Sequence, residues 1–103
     1  RAFSGDPNGT AEVIAQGMRH PGFSFIEVLS PCVTFRPEQR QWKNHVHPSP
    51  VEATDDPARA ARRIMTDDGF NLGVHYGGSR PPQVAPRAKG RSAVVDLEKE
   101  FAL

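Results

Sequence analysis

The sequence predicts an α/β fold: a terminal helix–strand unit of a parallel sheet, followed by an irregular carboxyl-terminal extension. Three observations favour this fold class. A helix-start signal, Asp6-Pro7, precedes an apolar stripe with helical spacing. A near-continuous apolar run follows at residues 23–29, which is typical of a strand buried on both faces. The 103-residue chain also carries ten prolines and nine glycines, which predicts long irregular segments in a single small domain.

The first helix begins at Asp6, whose carboxylate can accept a hydrogen bond from first-turn N–H groups. Pro7 at the first helical position loses no bond, and Pro21-Gly22 ends the helix. Four residues form its apolar stripe: Val13, Ile14, Gly17 and Met18. A helix that leads by a tight turn into a buried strand is half of a βαβ unit.

Cys32 follows the strand at residues 23–29 and is the chain's single cysteine. Pro31 has no backbone N–H and should end the strand's pairing, which puts Cys32 at or just beyond the strand's carboxyl end. In open α/β sheets this edge binds ligands and cofactors. Glu27 lies inside the apolar run, so its carboxylate needs a partner from the sheet edge or another chain.

Beyond residue 36 the chain becomes polar, with one short helix expected around residues 38–45. A second helix should begin at Asp56-Pro57 and run to about residue 67, followed by a short strand over residues 72–76. Its predicted apolar face consists of Ala58, Ala61, Ile64 and Met65. Residues 79–91 are proline-rich, basic and expected to be extended. Val94, Leu97 and Phe101 have the spacing of a short docking helix.

The formal net charge of +1 gives no reason to expect nucleic acid or a membrane surface as a partner. No apolar stretch approaches the roughly 18–20 residues of a membrane span, and one cysteine excludes an internal disulfide. A cytoplasmic location follows as an expectation. Because a parallel strand needs neighbouring strands, the sequence indicates a piece of a larger protein. The unpaired edges of such a strand also allow pairing with a second copy of the chain, so a homodimer is a further expectation.

Cys32 has three readings at this point. Free cysteine often fills space in a core, so packing is the simplest. The other two are a reactive thiol, which needs a base or an electropositive setting, and a metal or cluster ligand. A [4Fe–4S] cluster normally takes four thiolates, so three would come from outside this chain.

His45 and His47 alternate along the chain and would face one side of a strand, as a zinc-binding pair does. No third ligand is evident from His20 or His75, so a solvated or capping role is the better interpretation. The basic residues in 80–91 could contact phosphates, but a solvated linker is favoured there.

The element Ser-Pro-Cys-Val-Thr-Phe (30–35), within residues 15–35, resembles the carboxyl-terminal part of the β subunit of 2-oxoacid:ferredoxin oxidoreductases. Asp-Asp-Gly-Phe-Asn-Leu-Gly-Val-His-Tyr (67–76), followed by Arg80-Pro81, is similar to that family's terminal segment. The resemblance covers about residues 1–82. It divides the chain into the end of a thiamine-diphosphate-binding domain (1–35), an extension of the β subunit (36–82) and a tail (83–103).

The resemblance implies oxidative decarboxylation of a 2-oxoacid with coenzyme A and electron transfer to ferredoxin. The implied cofactors are thiamine diphosphate, magnesium and a [4Fe–4S] cluster, with Cys32 as one cluster ligand. The implied partners are the rest of the β subunit, the α subunit and, through the complex, ferredoxin. The remaining cluster cysteines and the Gly-Asp-Gly motif lie upstream in that family and are absent here, so the isolated fragment should bind none of these cofactors and be inactive. Arg36 stands where the family usually has Asn.

A rival hypothesis makes the chain a non-catalytic interaction module derived from the same family. Under this hypothesis Cys32 only packs, and the terminal helix around residues 94–101 carries the binding function.

Overall fold

The computed structural model describes residues 1–79 and 99–102. Two short parallel strand pairs, each connected through a helix, organise residues 1–79. In chain order the elements are β1 (Ala2–Phe3), α1 (Pro7–Arg19), β2 (Val28–Leu29), a 3-10 helix (Pro37–Gln41) that runs directly into α2 (Trp42–His45), β3 (His47–Pro48), α3 (Pro57–Thr66) and β4 (Asn71–Leu72).

Both strand pairs are βαβ units. In the first unit (residues 2–29), β1 pairs with β2 in the register Ala2↔Val28. In the second unit (residues 47–72), β3 pairs with β4 in the register His47↔Asn71. Parallel neighbours need a long crossover connection, and α1 and α3 provide it. The predicted α/β character is therefore confirmed at the level of a small mixed domain with parallel strand pairs, and the sequence prediction missed β1 and β3.

Both predicted helix starts are confirmed. The Asp6 carboxylate accepts a hydrogen bond from the Gly9 N–H at 3.0 Å. Asp56 does the same for the Ala58 N–H at 3.0 Å, and in each helix proline occupies the first turn. These caps satisfy N–H groups that have no partner within the helix, which explains why helices form at these positions.

Replacing Asp56 by alanine should lower the free energy of unfolding by about 1 kcal/mol, because the cap's hydrogen bond is lost. Urea unfolding followed by circular dichroism measures this change. Asp55→Ala is the matched control, since Asp55 is an exposed neighbouring carboxylate that does not cap α3. An equal loss in both variants would show that charge, not capping, matters here.

The prediction of a strand over residues 23–29 that is buried on both faces is wrong. Only Val28 and Leu29 pair, and the Phe23 and Phe25 side chains are 86% and 81% exposed. The alternate residues turn toward α1 instead: the Ser24 hydroxyl donates to the Gly17 carbonyl at 2.8 Å, and Ile26 fills the space beside Gly17. Within the part of the chain that the structure describes, no second layer covers the face of Phe23 and Phe25.

In the second half, the short helix near residues 38–45 is confirmed, whereas two details of the α3–β4 region differ. The predicted apolar face of α3 is wrong, because Ala60 is the buried residue and Met65 is 85% exposed. The predicted strand over 72–76 is reduced to β4 and an isolated bridge between Thr54 and Tyr76. Gly73 has a φ of +117°, which takes the backbone out of strand geometry directly after β4.

Arg1 joins the two units. Its backbone exchanges two hydrogen bonds with Gly73, at 2.7 and 2.8 Å. Its guanidinium group donates to Glu27 at 3.1 Å and to Asp67 at 3.2 Å, so Glu27 has its partner within the chain. The buried apolar residues among those described are Ala2, Phe3 and Ala60. With so small a core, these polar contacts form a substantial part of the packing between the units.

The tail of the chain is described only at its end. Residues 99 and 100 are helical, and Phe101 is 76% exposed. Val94 and Leu97 of the predicted docking helix, and the basic stretch at 80–91, lie outside the described residues. No helix among residues 1–79 and 99–102 is long and apolar enough to cross a membrane.

Candidate functional site

Cys32 lies three residues after β2, at the carboxyl end of the β1–β2 pair, as predicted. A turn over residues 33–35 follows it and leads into the 3-10 helix. Two backbone hydrogen bonds brace this position. The Cys32 N–H donates to the Gln39 side-chain oxygen at 2.7 Å, and the Arg36 N–H donates to the Cys32 carbonyl at 2.8 Å.

The Cys32 thiol itself is free and exposed. Its backbone is hydrogen-bonded on both sides while the residue stays exposed, which does not fit a residue that fills space in the core of the described structure. The simplest reading from sequence, that Cys32 fills space in a core, therefore does not describe this structure. Backbone bracing of this kind positions a side chain without burying it.

Arg36 pairs with a carboxylate close to Cys32 in sequence. Its guanidinium group bonds to Glu38, with side chains 65% and 59% exposed. The hydrogen bond from Arg36 lowers the pKa of Glu38, and a backbone hydrogen bond acts in the same direction. The positive charge of Arg36 is thus engaged by Glu38.

The residues present fit one ligand of an iron–sulfur cluster and no more. Among residues 1–79 and 99–102, no group of three or more His, Cys, Asp or Glu side chains is arranged to hold a metal ion. A cubane cluster takes four thiolates in its usual form, and this chain contains one cysteine.

His45 and His47 do not act as a pair. His45 ends α2, where its ring packs 5.4 Å from the ring of Phe70. His47 begins β3, and its Nε2 lies 2.8 Å from the Asp68 carboxylate. The shared-face prediction fails because the chain passes from helix to strand between the two residues, so the period-two rule does not apply.

Both ring nitrogens of His47 face oxygen acceptors. Nε2 faces Asp68, and Nδ1 lies 3.1 Å from the Pro48 carbonyl. Carboxylate and carbonyl oxygens only accept, so the protonated imidazolium satisfies both contacts at once, whereas the neutral ring satisfies one. The Asp68 hydrogen bond is the main reason that the pKa of His47 is raised, and the same bond lowers the pKa of Asp68.

This pair predicts a bounded pH window. The raised pKa of His47 gives stability that is present below its ordinary value of 6.5 and is lost as the pH rises through the raised pKa. The lowered pKa of Asp68 gives stability that is present above 3.8 and is lost as the pH falls through the lowered pKa. Urea unfolding gives the free energy of unfolding of wild type and of His47→Gln across pH. The difference between the two proteins should be largest between pH 3.8 and pH 6.5. A pH-independent difference would contradict the pairing.

His75 also titrates, which is why the difference between wild type and His47→Gln is the proper measurement. Burial lowers the pKa of His75, so its contribution to stability is present above 6.5 and is lost as the pH falls toward the lowered pKa. Both proteins in the comparison retain His75, so its contribution cancels in the difference.

A scan of protein-family models, a search of curated proteins and a search of solved structures each found no match to this chain. The resemblance of residues 30–35 and 67–76 to the oxidoreductase β subunit therefore rests on sequence motifs.

The sequence analysis did not predict a cluster of polar side chains that surrounds a cavity in the second unit. Arg63, Asp67, Asn71 and His75 surround one cavity together with the chain after β3. A signal was present in the spacing, because residues 60, 63 and 67 fall on one helical face. That face combines Ala60 with the charged residues Arg63 and Asp67, so it does not resemble the apolar face by which a buried helix side is predicted.

Proposed function

We propose that this chain is the carboxyl-terminal part of the β subunit of a thiamine-dependent 2-oxoacid:ferredoxin oxidoreductase, an enzyme of the EC 1.2.7 type. The enzyme oxidatively decarboxylates a 2-oxoacid to acyl-CoA and passes electrons to ferredoxin. One observation carries the proposal: the Ser-Pro-Cys-Val-Thr-Phe element presents an exposed, backbone-braced thiol at the carboxyl end of a parallel strand pair. This is the edge at which α/β domains hold their cofactors.

In this role Cys32 supplies one thiolate to a [4Fe–4S] cluster. The three remaining ligands, and the residues that hold magnesium and thiamine diphosphate, come from the rest of the β subunit. When bound, the cluster takes up single electrons. Gln39 and Arg36 hold the backbone of Cys32 in place through its N–H and C=O groups, so that its thiolate would be presented from a fixed backbone position.

The uncovered aromatic side chains support a chain that is completed by other protein. Phe23, Phe25 and Phe35 are 86%, 81% and 83% exposed. Burying one such side chain is worth roughly 1.5–3 kcal/mol, so leaving all three in water forgoes considerable stability. Parallel sheets are normally covered on both faces, and α1 covers one. The rest of the β subunit and the α subunit are the proposed cover.

The proposal is tested with a complex isolated from the source cell through an affinity tag on this chain. We expect the complex to reduce ferredoxin or methyl viologen only when a 2-oxoacid and coenzyme A are both supplied. The isolated 103 residues should not bind thiamine diphosphate in isothermal titration. A tagged complex without this activity, or micromolar thiamine diphosphate binding by the isolated chain, would contradict the proposal.

The interaction module is the second candidate function. The observation that favours it is the extent of exposed apolar surface, which includes Met18 (82%) and Phe101 (76%) in addition to the aromatic residues. The two candidates are separated by the cluster in Cys32→Ser, because partner binding should be kept under both. The oxidoreductase complex should lose its cluster-dependent absorbance, whereas the complex of an interaction module should be unchanged.

A further inference from the structure

The outer edge of β2 is a strand edge that pairs with no other strand of the described residues. On the inner side, the Ala2 N–H donates to the Glu27 carbonyl at 2.9 Å. The Ser4 N–H likewise donates to the Leu29 carbonyl at 2.9 Å. Backbone groups of successive strand residues point to opposite edges, so the residues that alternate with these acceptors point away from β1. These outward residues are Ile26, Val28 and Ser30.

The outer edge of β3 is different, because prolines occupy its outward positions. The His47 and Ser49 N–H groups donate to carbonyls of residues 70 and 72, at 3.1 and 2.9 Å, so both face β4. The outward positions beside them are Pro48 and Pro50. Proline has no N–H to offer, and proline on an edge strand is one way in which natural sheets prevent further pairing.

The outer edge of β2 carries no proline and no charged residue. Its three outward residues all have a backbone N–H. Pro31 falls on the inward side, so it ends the pairing with β1 and leaves the outer edge intact. The Val28 carbonyl has one long contact, at 3.5 Å from the Ser30 hydroxyl, and can accept a stronger hydrogen bond. An uncharged edge of this kind is a template for another strand.

We propose that the outer edge of β2 pairs with the same edge of a second copy of this chain. A twofold axis at Val28 sets the two strands antiparallel, so the N–H and C=O groups of Val28 bond to those of Val28 in the second copy. The same register pairs Ile26 with Ser30 of the second copy. All three outward residues are thereby satisfied. The proposal concerns the edge of β2 and does not depend on the oxidoreductase function.

The side chains of this segment suit a second copy. Phe25 is 81% exposed, on the face of the strand that α1 does not cover. In the proposed register it lies opposite Pro31 of the second copy, within contact distance across the two strands. Glu27 is the charged residue nearest the axis, and it already pairs with Arg1 of its own chain at 3.1 Å. The pairing therefore covers apolar surface in both copies without bringing an unpaired charge to it.

The area of this contact is that of a reversible dimer. A covered phenylalanine side chain buries roughly 150–250 Å². Partial cover of Phe25 in both copies, together with the backbone of two short edges, gives an interface below about 1,200 Å², which is typical of weak association. We expect a dissociation constant on the order of tens of micromolar.

Sedimentation equilibrium of the 103-residue chain, from about 5 to 500 μM, tests the proposal. We expect a monomer–dimer equilibrium, with hydrogen exchange at the Val28 and Ser30 amides slowing as the concentration rises. Val28→Pro removes the N–H at the axis in both copies and no bond to β1, so the Kd should rise at least about tenfold. Val28→Thr keeps the N–H and is the matched control.

Ser30→Pro, compared with Ser30→Ala, repeats the test at a second outward N–H, so the proposal stays testable if Val28→Pro does not fold. Circular dichroism shows which variants keep the fold. A chain that remains monomeric at all concentrations would overturn the proposal. Equal dimerisation of the folded proline variants and their controls would place the contact elsewhere and overturn it too. So would edge amides that slow only when another protein is added, since a foreign strand would then be the occupant.

Discussion

Under the proposed function, Cys32→Ser should abolish the cluster-dependent visible absorbance of the assembled oxidoreductase. A serine hydroxyl has a far higher pKa than a thiol and is a poor ligand for iron, so one of the four ligands is lost. The backbone brace from Gln39 and Arg36 uses the N–H and C=O groups of residue 32, which serine retains. The variant should therefore assemble with its partners while it lacks the cluster.

Absorbance of the purified complex, iron content and the electron paramagnetic resonance signal after reduction measure this effect. Ser30→Ala is the matched control, because Ser30 lies in the same element and its hydroxyl makes one exposed contact at 3.5 Å to the Val28 carbonyl. A complex of Cys32→Ser with full iron content would contradict the assignment of Cys32 as a ligand and would favour the interaction module.

The second large effect is expected at Arg1. Arg1→Met should lower the free energy of unfolding by roughly 1.5–3 kcal/mol, because it removes hydrogen bonds between charged groups in a partly buried ion pair. The Arg1 side chain is 9% exposed and that of Asp67 is 14% exposed, so the substitution leaves a carboxylate with little access to water. Glu27 is 49% exposed and should contribute little.

Urea unfolding at neutral pH measures this loss. Arg62→Met is the control, since it removes an exposed positive charge of α3 and should change stability by less than about 0.5 kcal/mol. A loss below about 1 kcal/mol for Arg1→Met would mean that the Arg1 side chain does not hold the two units together. A loss in both variants would point to net charge as the cause.

Local sequence signals predicted the local structure well. Asp6 and Asp56, each followed by proline, marked both helix starts, because capping depends on residues that are neighbours in the sequence. Pro31 placed Cys32 beyond the carboxyl end of β2 for the same kind of reason. The candidate ligand was therefore positioned from sequence, and its exposure is what the structure adds.

Long-range features were out of reach of the sequence. The apolar run with Phe23 and Phe25 predicted a buried strand, but burial depends on elements that cover it, and α1 reaches one face. The two residues of β1 carry too little pattern to be detected, and the role of Arg1 depends on residues 26 and 66 positions away. The cavity lined by Arg63 and Asn71 likewise depends on α3 and β4 lying close together.

The most direct test of the central claim is mass spectrometry of the native polypeptide that contains this chain in its source cell. If the chain is the end of an oxidoreductase β subunit, one longer polypeptide should give the peptides of this sequence together with peptides that carry a Cys-x-x-Cys pair and a Gly-Asp-Gly motif. A native polypeptide without those two motifs would contradict the account. Catalysis within one polypeptide would then be excluded, and the interaction module or a split subunit would take its place.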